Sequence, residues 1–168
     1  MRRFENEIAL ILACSAKTDP SELAARVDSL AAAGLDWSYI FKVSYRNAVF
    51  PLVYLNLIKA SPSKLPVDIS ADILDRLKHH TAANMLVVGQ LFRIKSLFDS
   101  RRIPMLSFKG PLLSIQAYGD PTLRMFGDLD LLVQPKHLDD AIRLLEEAGY
   151  QPLTTVSWFK RSSVIISR

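Results

Sequence analysis

Ile103-Pro104-Met105-Leu106-Ser107-Phe108-Lys109-Gly110-Pro111 and Gly127-Asp128-Leu129-Asp130-Leu131-Leu132-Val133 bracket the region where the hydrophobic period of the sequence changes. The run 103–108 is short and apolar and reads as a strand. Lys109-Gly110-Pro111 is a turn that opens a helix, with Gly110 near the cap and Pro111 at the first helical position. Leu112, Leu113, Ile115 and Gln116 carry that helix to Tyr118-Gly119, and Asp120-Pro121-Thr122 is a loop. Asp128 to Val133 reads as a second strand. Pro135 starts another helix with Leu138, Ala141, Ile142 and Leu145 on one face, closed by Gly149. Asp139 with Arg143, and Arg143 with Glu147, have the i,i+4 spacing of supporting ion pairs. A third strand is expected from Tyr150 onward. The order strand–helix–strand–helix–strand is an α/β pattern.

Upstream of this segment the chain reads as helices. Phe4, Ile8, Ile11 and Leu12 mark one face of a first helix. Asp19-Pro20-Ser21-Glu22 is a start signal, with Asp19 as cap, Pro20 at the first position and Glu22 able to reach back. Leu23, Val27 and Leu30 form its stripe, and Gly34 ends it. Asp36 can cap a third helix carrying Trp37, Ile40 and Phe41. Pro51 can start a fourth with Leu52, Leu55 and Ile58. Ser61 to Pro66 is a loop by composition. From about Ile69 to Arg102 one long helix, or two in series, is expected, with Val87, Leu91, Ile94 and Phe98 in phase and Gly89 as the weak point. The expected class is α+β: a helical region over residues 1–100, then an α/β core over 101–168 with a small mixed sheet.

Composition bounds what such a chain does. Of 168 residues, 49% are hydrophobic and 23% charged, the balance of a globular protein able to build a core. A net charge of +4 permits a phosphate-bearing partner without requiring one. After Glu147 there is no Asp or Glu, while Lys160, Arg161 and Arg168 are basic. Cys14 is the one cysteine, which excludes an internal disulfide and a cysteine metal cluster. Glu5 and Glu7 interrupt the apolar start, so a secretory leader is not expected. No stretch approaches the roughly 20 apolar residues of a membrane span. A cytoplasmic protein is expected.

The chemistry lies in the carboxylates. On a strand, residues i and i+2 share a face, so Asp128 and Asp130 would stand side by side while Leu129, Leu131 and Val133 enter the core. Paired carboxylates repel unless a cation sits between them. Hard oxygen ligands suit Mg²⁺, which takes one or two carboxylates plus substrate phosphates. Lys109 brings positive charge to the opening of the intervening helix, and the backbone at Gly110 lets phosphate oxygens approach helix-start N–H groups. Arg124, just before the second strand, offers a planar fork to the same phosphates. Each signal alone is weak; their order is specific.

With Tyr118-Gly119-Asp120-Pro121, Arg124, and Leu144-Leu145-Glu146-Glu147-Ala148-Gly149-Tyr150 added to the two quoted runs, the sequence resembles the uncharacterised nucleotidyltransferase family of the polymerase-β-like superfamily. The resemblance covers Ile103 to about Tyr150 closely and the helical region more loosely. It implies that Asp128 and Asp130 are the metal-binding, catalytic pair. It implies that Lys109-Gly110 stands where the superfamily usually has Gly-Ser or Gly-Gly, and that Arg124 is the arginine that commonly precedes the carboxylate strand. Residues 101–168 would then be a nucleotidyltransferase-like core. The implied activity is Mg²⁺-dependent transfer of a nucleoside monophosphate from a nucleoside triphosphate, such as ATP, to an acceptor hydroxyl on a protein, nucleic acid or small molecule. The superfamily's third carboxylate, expected beyond Gly149, is missing from Gln151 to Phe159. Two readings stay open: a core that is incomplete through C-terminal truncation or a frame shift, and a binding module that has lost catalysis. Trp158-Phe159 and Val164-Ile165-Ile166 would lie uncovered on a small sheet, which fits truncation.

Other residues have plainer readings. His79 and His80 are expected at a solvated helix edge, His137 on the surface, and Cys14 in a core. Trp37, Tyr39, Tyr45 and Tyr54 belong among helical apolar positions. Asp139-Asp140 suit a first helical turn. No candidate recognition helix is rich in Arg, Lys, Asn and Gln together, which argues against a helix-turn-helix nucleic-acid binder.

Overall fold

The computed structural model describes residues 4–16, 18–152 and 166–167. The helices are α1 (Glu5–Ser15), α2 (Pro20–Ala31), α3 (Trp37–Arg46), α4 (Phe50–Ala60), α5 (Val67–Ser100), α6 (Gly110–Tyr118) and α7 (Leu138–Glu147). The strands are β1 (Met105–Ser107), β2 (Leu131–Val133), β3 (Gln151–Pro152) and β4 (Ile166–Ser167). This is the expected α+β class. Where a mixed sheet was expected, both described pairings, β1 with β2 and β3 with β4, are antiparallel and separate. Of the run Gln151 to Phe159, where a third carboxylate was expected, Gln151 and Pro152 form β3 and the rest, with Trp158-Phe159, lies outside the described residues.

Local chemistry sets the helix ends. Asp19 accepts the Ser21 N–H at 2.9 Å at the start of α2, and Asp36 accepts that of Tyr39 at 2.9 Å at the start of α3. Each satisfies one donor that the first turn would otherwise leave open. The expected stripe of α1 is rotated: Ile8 and Leu12 are exposed, while Glu7, Leu10, Ile11, Ala13 and Cys14 are buried. Glu7 accepts the Asp36 backbone N–H at 2.9 Å, so a carboxylate holds the inward position and ties α1 to the next capping turn. α5 runs through Gly89 as a single helix. One glycine costs a helix about 1 kcal/mol, far less than its packed faces supply.

Two apolar cores result. The first gathers α1–α4 and the start of α5 around Tyr54, Phe50, Leu10, Ile40 and Val27. The second joins the end of α5 (Ile94, Phe98) to Ile103, Tyr150 and the inner face of α7 (Ala141, Leu144, Leu145). Met105, Leu129, Leu131 and Val133 pack against this second core. α5 thus contributes to both. On α7, Arg143 pairs with Asp140 at 3.1 Å, one residue away from the expected Asp139.

Candidate functional site

The β1–β2 ladder positions the acidic pair. Its register is Met105↔Val133, Leu106↔Leu132 and Ser107↔Leu131. One step on, the Phe108 N–H donates to the Asp130 carbonyl at 3.4 Å. Two further steps on, a Cβ placed on Gly110 would lie 3.3 Å from the Asp128 carbonyl oxygen. The chain that leaves β1 therefore continues alongside the chain that enters β2. Asp128 and Asp130 themselves precede the strand, contrary to the expectation that it begins at Asp128. The partner backbone turns helical at Gly110, opposite Asp128, so the ladder does not extend that far although the chains stay close. The alternation survives in burial: Leu129 packs against the second core, Asp128 is exposed, and Asp130 is partly so.

Lys109-Gly110 folds onto this pair. Lys109 Nζ lies 3.6 Å from Asp130 Oδ2 and 5.2 Å from the Phe108 ring centroid. With side chains 60% and 33% exposed, the ion pair is a surface one and contributes about 0–1 kcal/mol at most. Lys109 stands at the cap of α6 with no side-chain cap hydrogen bond. The helix start therefore presents open N–H groups and a partial positive charge beside Asp130 and the Asp128 backbone. Pro111 falls one place inside the first helical position, which Gly110 takes instead.

Arg124 arrives on a loop tied down at several points. Asp120 Oδ1 accepts the Thr122 N–H at 2.7 Å and its hydroxyl at 2.6 Å, closing a tight turn. Asp120 is thereby occupied, and Arg124 forms no ion pair with Asp120 or Asp128 among the described residues. Its Nη1 is buried without a hydrogen-bond partner. This nitrogen is a buried donor with an open hydrogen bond.

Two residues that hold this loop, Asn84 and Ser114, were not singled out from the sequence, and a third, His80, was expected at a solvated edge. Asn84, 1% exposed, donates through Nδ2 to the carbonyls of Pro121 (2.9 Å) and Arg124 (2.8 Å). His80 Nε2 sits 2.8 Å from the Thr122 carbonyl, so it is no solvated edge, whereas its neighbour His79 is exposed and pairs with Asp75 at 3.3 Å. Ser114, fully buried, donates to the Asp120 carbonyl at 2.7 Å. The i,i+4 spacing of His80 and Asn84, one face of α5, was the available signal.

Other groups stay apart. Among the described residues no group of three or more His, Cys, Asp or Glu is placed to hold a metal. Asp140 is engaged by Arg143. Cys14 lies in the first core, where burial pushes its thiol up to about 12. A cleft of about 460 Å³ opens at the far end of α6, between Leu23, Leu52, Lys59, Gln116 and Tyr118, and holds none of the candidate residues.

A family model described as "Uncharacterised nucleotidyltransferase" matches residues 33–163. The chain belongs to this family. The match takes in α3 to α7 and both strands of the central ladder, so it covers helices α3 to α5 as well as the acidic segment. It includes Lys109, Gly110, Arg124, Asp128 and Asp130, and also His80 and Asn84. No curated protein and no solved structure matches the chain. Among the described residues no helix is long and apolar enough to cross a membrane.

Proposed function

We propose that this nucleotidyltransferase family member binds a nucleoside triphosphate with Mg²⁺ and transfers its nucleotidyl group to an acceptor hydroxyl, with pyrophosphate leaving. Asp128 and Asp130 would hold the metal, and Lys109, the Gly110 backbone and Arg124 the phosphates. The observation that carries this reading is the closure of the Lys109-Gly110 turn onto the acidic pair, 3.6 Å from lysine to carboxylate. The donor set fits Mg²⁺: two carboxylates, one exposed and one partly exposed, with the Lys109 ammonium beside Asp130 to suit phosphate oxygens. When bound, Mg²⁺ neutralises charge that develops on the phosphates. Arg124 Nη1, buried and unpartnered, would complete its hydrogen bonding on a phosphate oxygen. Lys109 would exchange part of its hold on Asp130 for the triphosphate. The free, buried Cys14 suits a reducing compartment, and we place the protein in the cytoplasm.

Calorimetric titration of Mg²⁺ with each nucleoside triphosphate tests the site. Asp128→Ala should weaken binding by at least about a hundredfold, a little under 3 kcal/mol. Unchanged affinity would remove the metal role. A second reading starts from the run Gln151 to Phe159, which carries no acid where the resemblance expects one to activate an acceptor hydroxyl. In it the site binds nucleotide without turnover and the chain acts as an interaction module. Incubation with labelled nucleotide, Mg²⁺ and cell extract separates the two: label transferred to any acceptor eliminates the second.

A further inference from the structure

The loop that delivers Arg124 is fastened carbonyl by carbonyl. Ser114 Oγ donates to the Asp120 carbonyl, Asn84 Nδ2 to those of Pro121 and Arg124, and His80 Nε2 to that of Thr122. Between these ties Leu123 is buried, and Met125 packs against the first core. A carbonyl can only accept, so the geometry fixes two chemical states. The Asn84 amide must present its nitrogen to both oxygens, and His80 must carry a proton on Nε2. Both residues rise from α5, one turn apart, and neither touches the acidic pair. A buried Asn donating both its protons to one loop is a device for holding that loop in a single conformation.

We infer that His80 and Asn84 are positioning residues for Arg124: they fix the backbone from which its guanidinium projects, and through it the phosphate grip. The inference rests on the phosphate role proposed for Arg124, and it names the part of the helical scaffold that sets the site. Loss of Asn84 would let the guanidinium swing toward water or toward Asp128, and the phosphate site would lose its preformed donor.

Two measurements on the full chain test this. The first is titration of inorganic tripolyphosphate with Mg²⁺ into the wild type, Asn84→Ala, Arg124→Ala and the double variant. Asn84→Ala should weaken binding about tenfold, and that loss should vanish when Arg124 is already Ala. His80→Ala should weaken it less, and His80→Gln, whose amide nitrogen can reach the same carbonyl, should restore it. Losses that simply add in the double variant would overturn the inference. The second is limited trypsin digestion, which needs no ligand. The Arg124–Met125 bond should be cut about tenfold faster in Asn84→Ala and faster in His80→Ala, while cleavage after Lys136 keeps its rate. An unchanged rate at Arg124 in His80→Ala, judged folded by circular dichroism, would also overturn it. If the wild type binds no tripolyphosphate, the proposed phosphate site fails, and the trypsin rates alone decide whether His80 and Asn84 hold Arg124.

Discussion

Around Tyr54 and Phe50 the first core draws on five helices, while the second rests on two helix faces and one side of a two-stranded ladder. The ladder's other side is open. Leu106 and Leu132, paired across it, are 58% and 48% exposed, and Phe108 beside Asp130 is 40% exposed. Lys109, Gly110, Asp128 and Asp130 gather at this thinner end, where the ladder runs out and α6 begins. The proposed phosphate and metal site would have to stay open to solvent, and the thinner end has the exposure that this requires. The helical side compensates through α5, which enters both cores and holds the Arg124 loop.

The largest effect that could break this comparison is a cavity in the first core. Phe50 is 1% exposed and packs against Phe41, Tyr45 and Tyr54 at ring separations of 5.5, 6.0 and 5.1 Å. Phe50→Ala should cost about 3–5 kcal/mol of stability, measured by denaturant unfolding. It should leave nucleotide affinity unchanged in the population still folded. A fall in affinity as large as that of Asp128→Ala would mean the first core shapes the site directly.

A pH effect belongs to the same core. Burial raises the Cys14 thiol from its ordinary 9.0 to about 12, and burial also raises the Tyr54 hydroxyl. Above pH 9 the unfolded thiol has lost its proton while the folded one keeps it. The unfolded state then binds fewer protons, so stability falls as pH rises. For Cys14 the slope approaches about 1.4 kcal/mol per pH unit between 9 and 12 and is absent below. Cys14→Ser would alter the group's size little and remove this part of the slope. An identical alkaline profile in that variant would show that Cys14 contributes none of it.

The sequence was most legible where one physical rule dominates. Asp19 and Asp36 cap helices as expected because a side-chain acceptor before an apolar period has few alternatives. The nearness of Lys109-Gly110 to Asp128-Leu129-Asp130 was expected from their order around two short apolar runs, whereas the antiparallel register that brings it about was not. Less legible were properties set by tertiary contact. The face that α1 buries turned on Glu7 meeting the Asp36 N–H, a partner far away in sequence. The start of β2 depended on where the partner backbone turns helical. His80 and Asn84 looked like ordinary polar positions on a long helix because the carbonyls that they bind belong to a loop some 40 residues on. Side chain to backbone bonds of that range leave no local period to read.

The smallest effect is also the sharpest comparison of the two ends, because it uses one substitution twice. Gly34, after α2, and Gly110, at the start of α6, both have positive φ, +77° and +52°. Alanine in that region costs roughly 1–2 kcal/mol from its own Cβ. At Gly34 nothing lies within 4 Å of the added carbon, so Gly34→Ala should lose that much stability and no affinity. At Gly110 the carbon would meet the Asp128 carbonyl oxygen at 3.3 Å, and this neighbour is backbone, which cannot rotate aside. Gly110→Ala should therefore lose somewhat more stability and, by displacing Asp128, weaken Mg²⁺-dependent nucleotide binding as well. Unfolding midpoints and calorimetric affinities of the two variants, taken side by side, decide it. Equal stability losses with affinity intact in both would mean that the approach of Gly110 to Asp128 is incidental to the site.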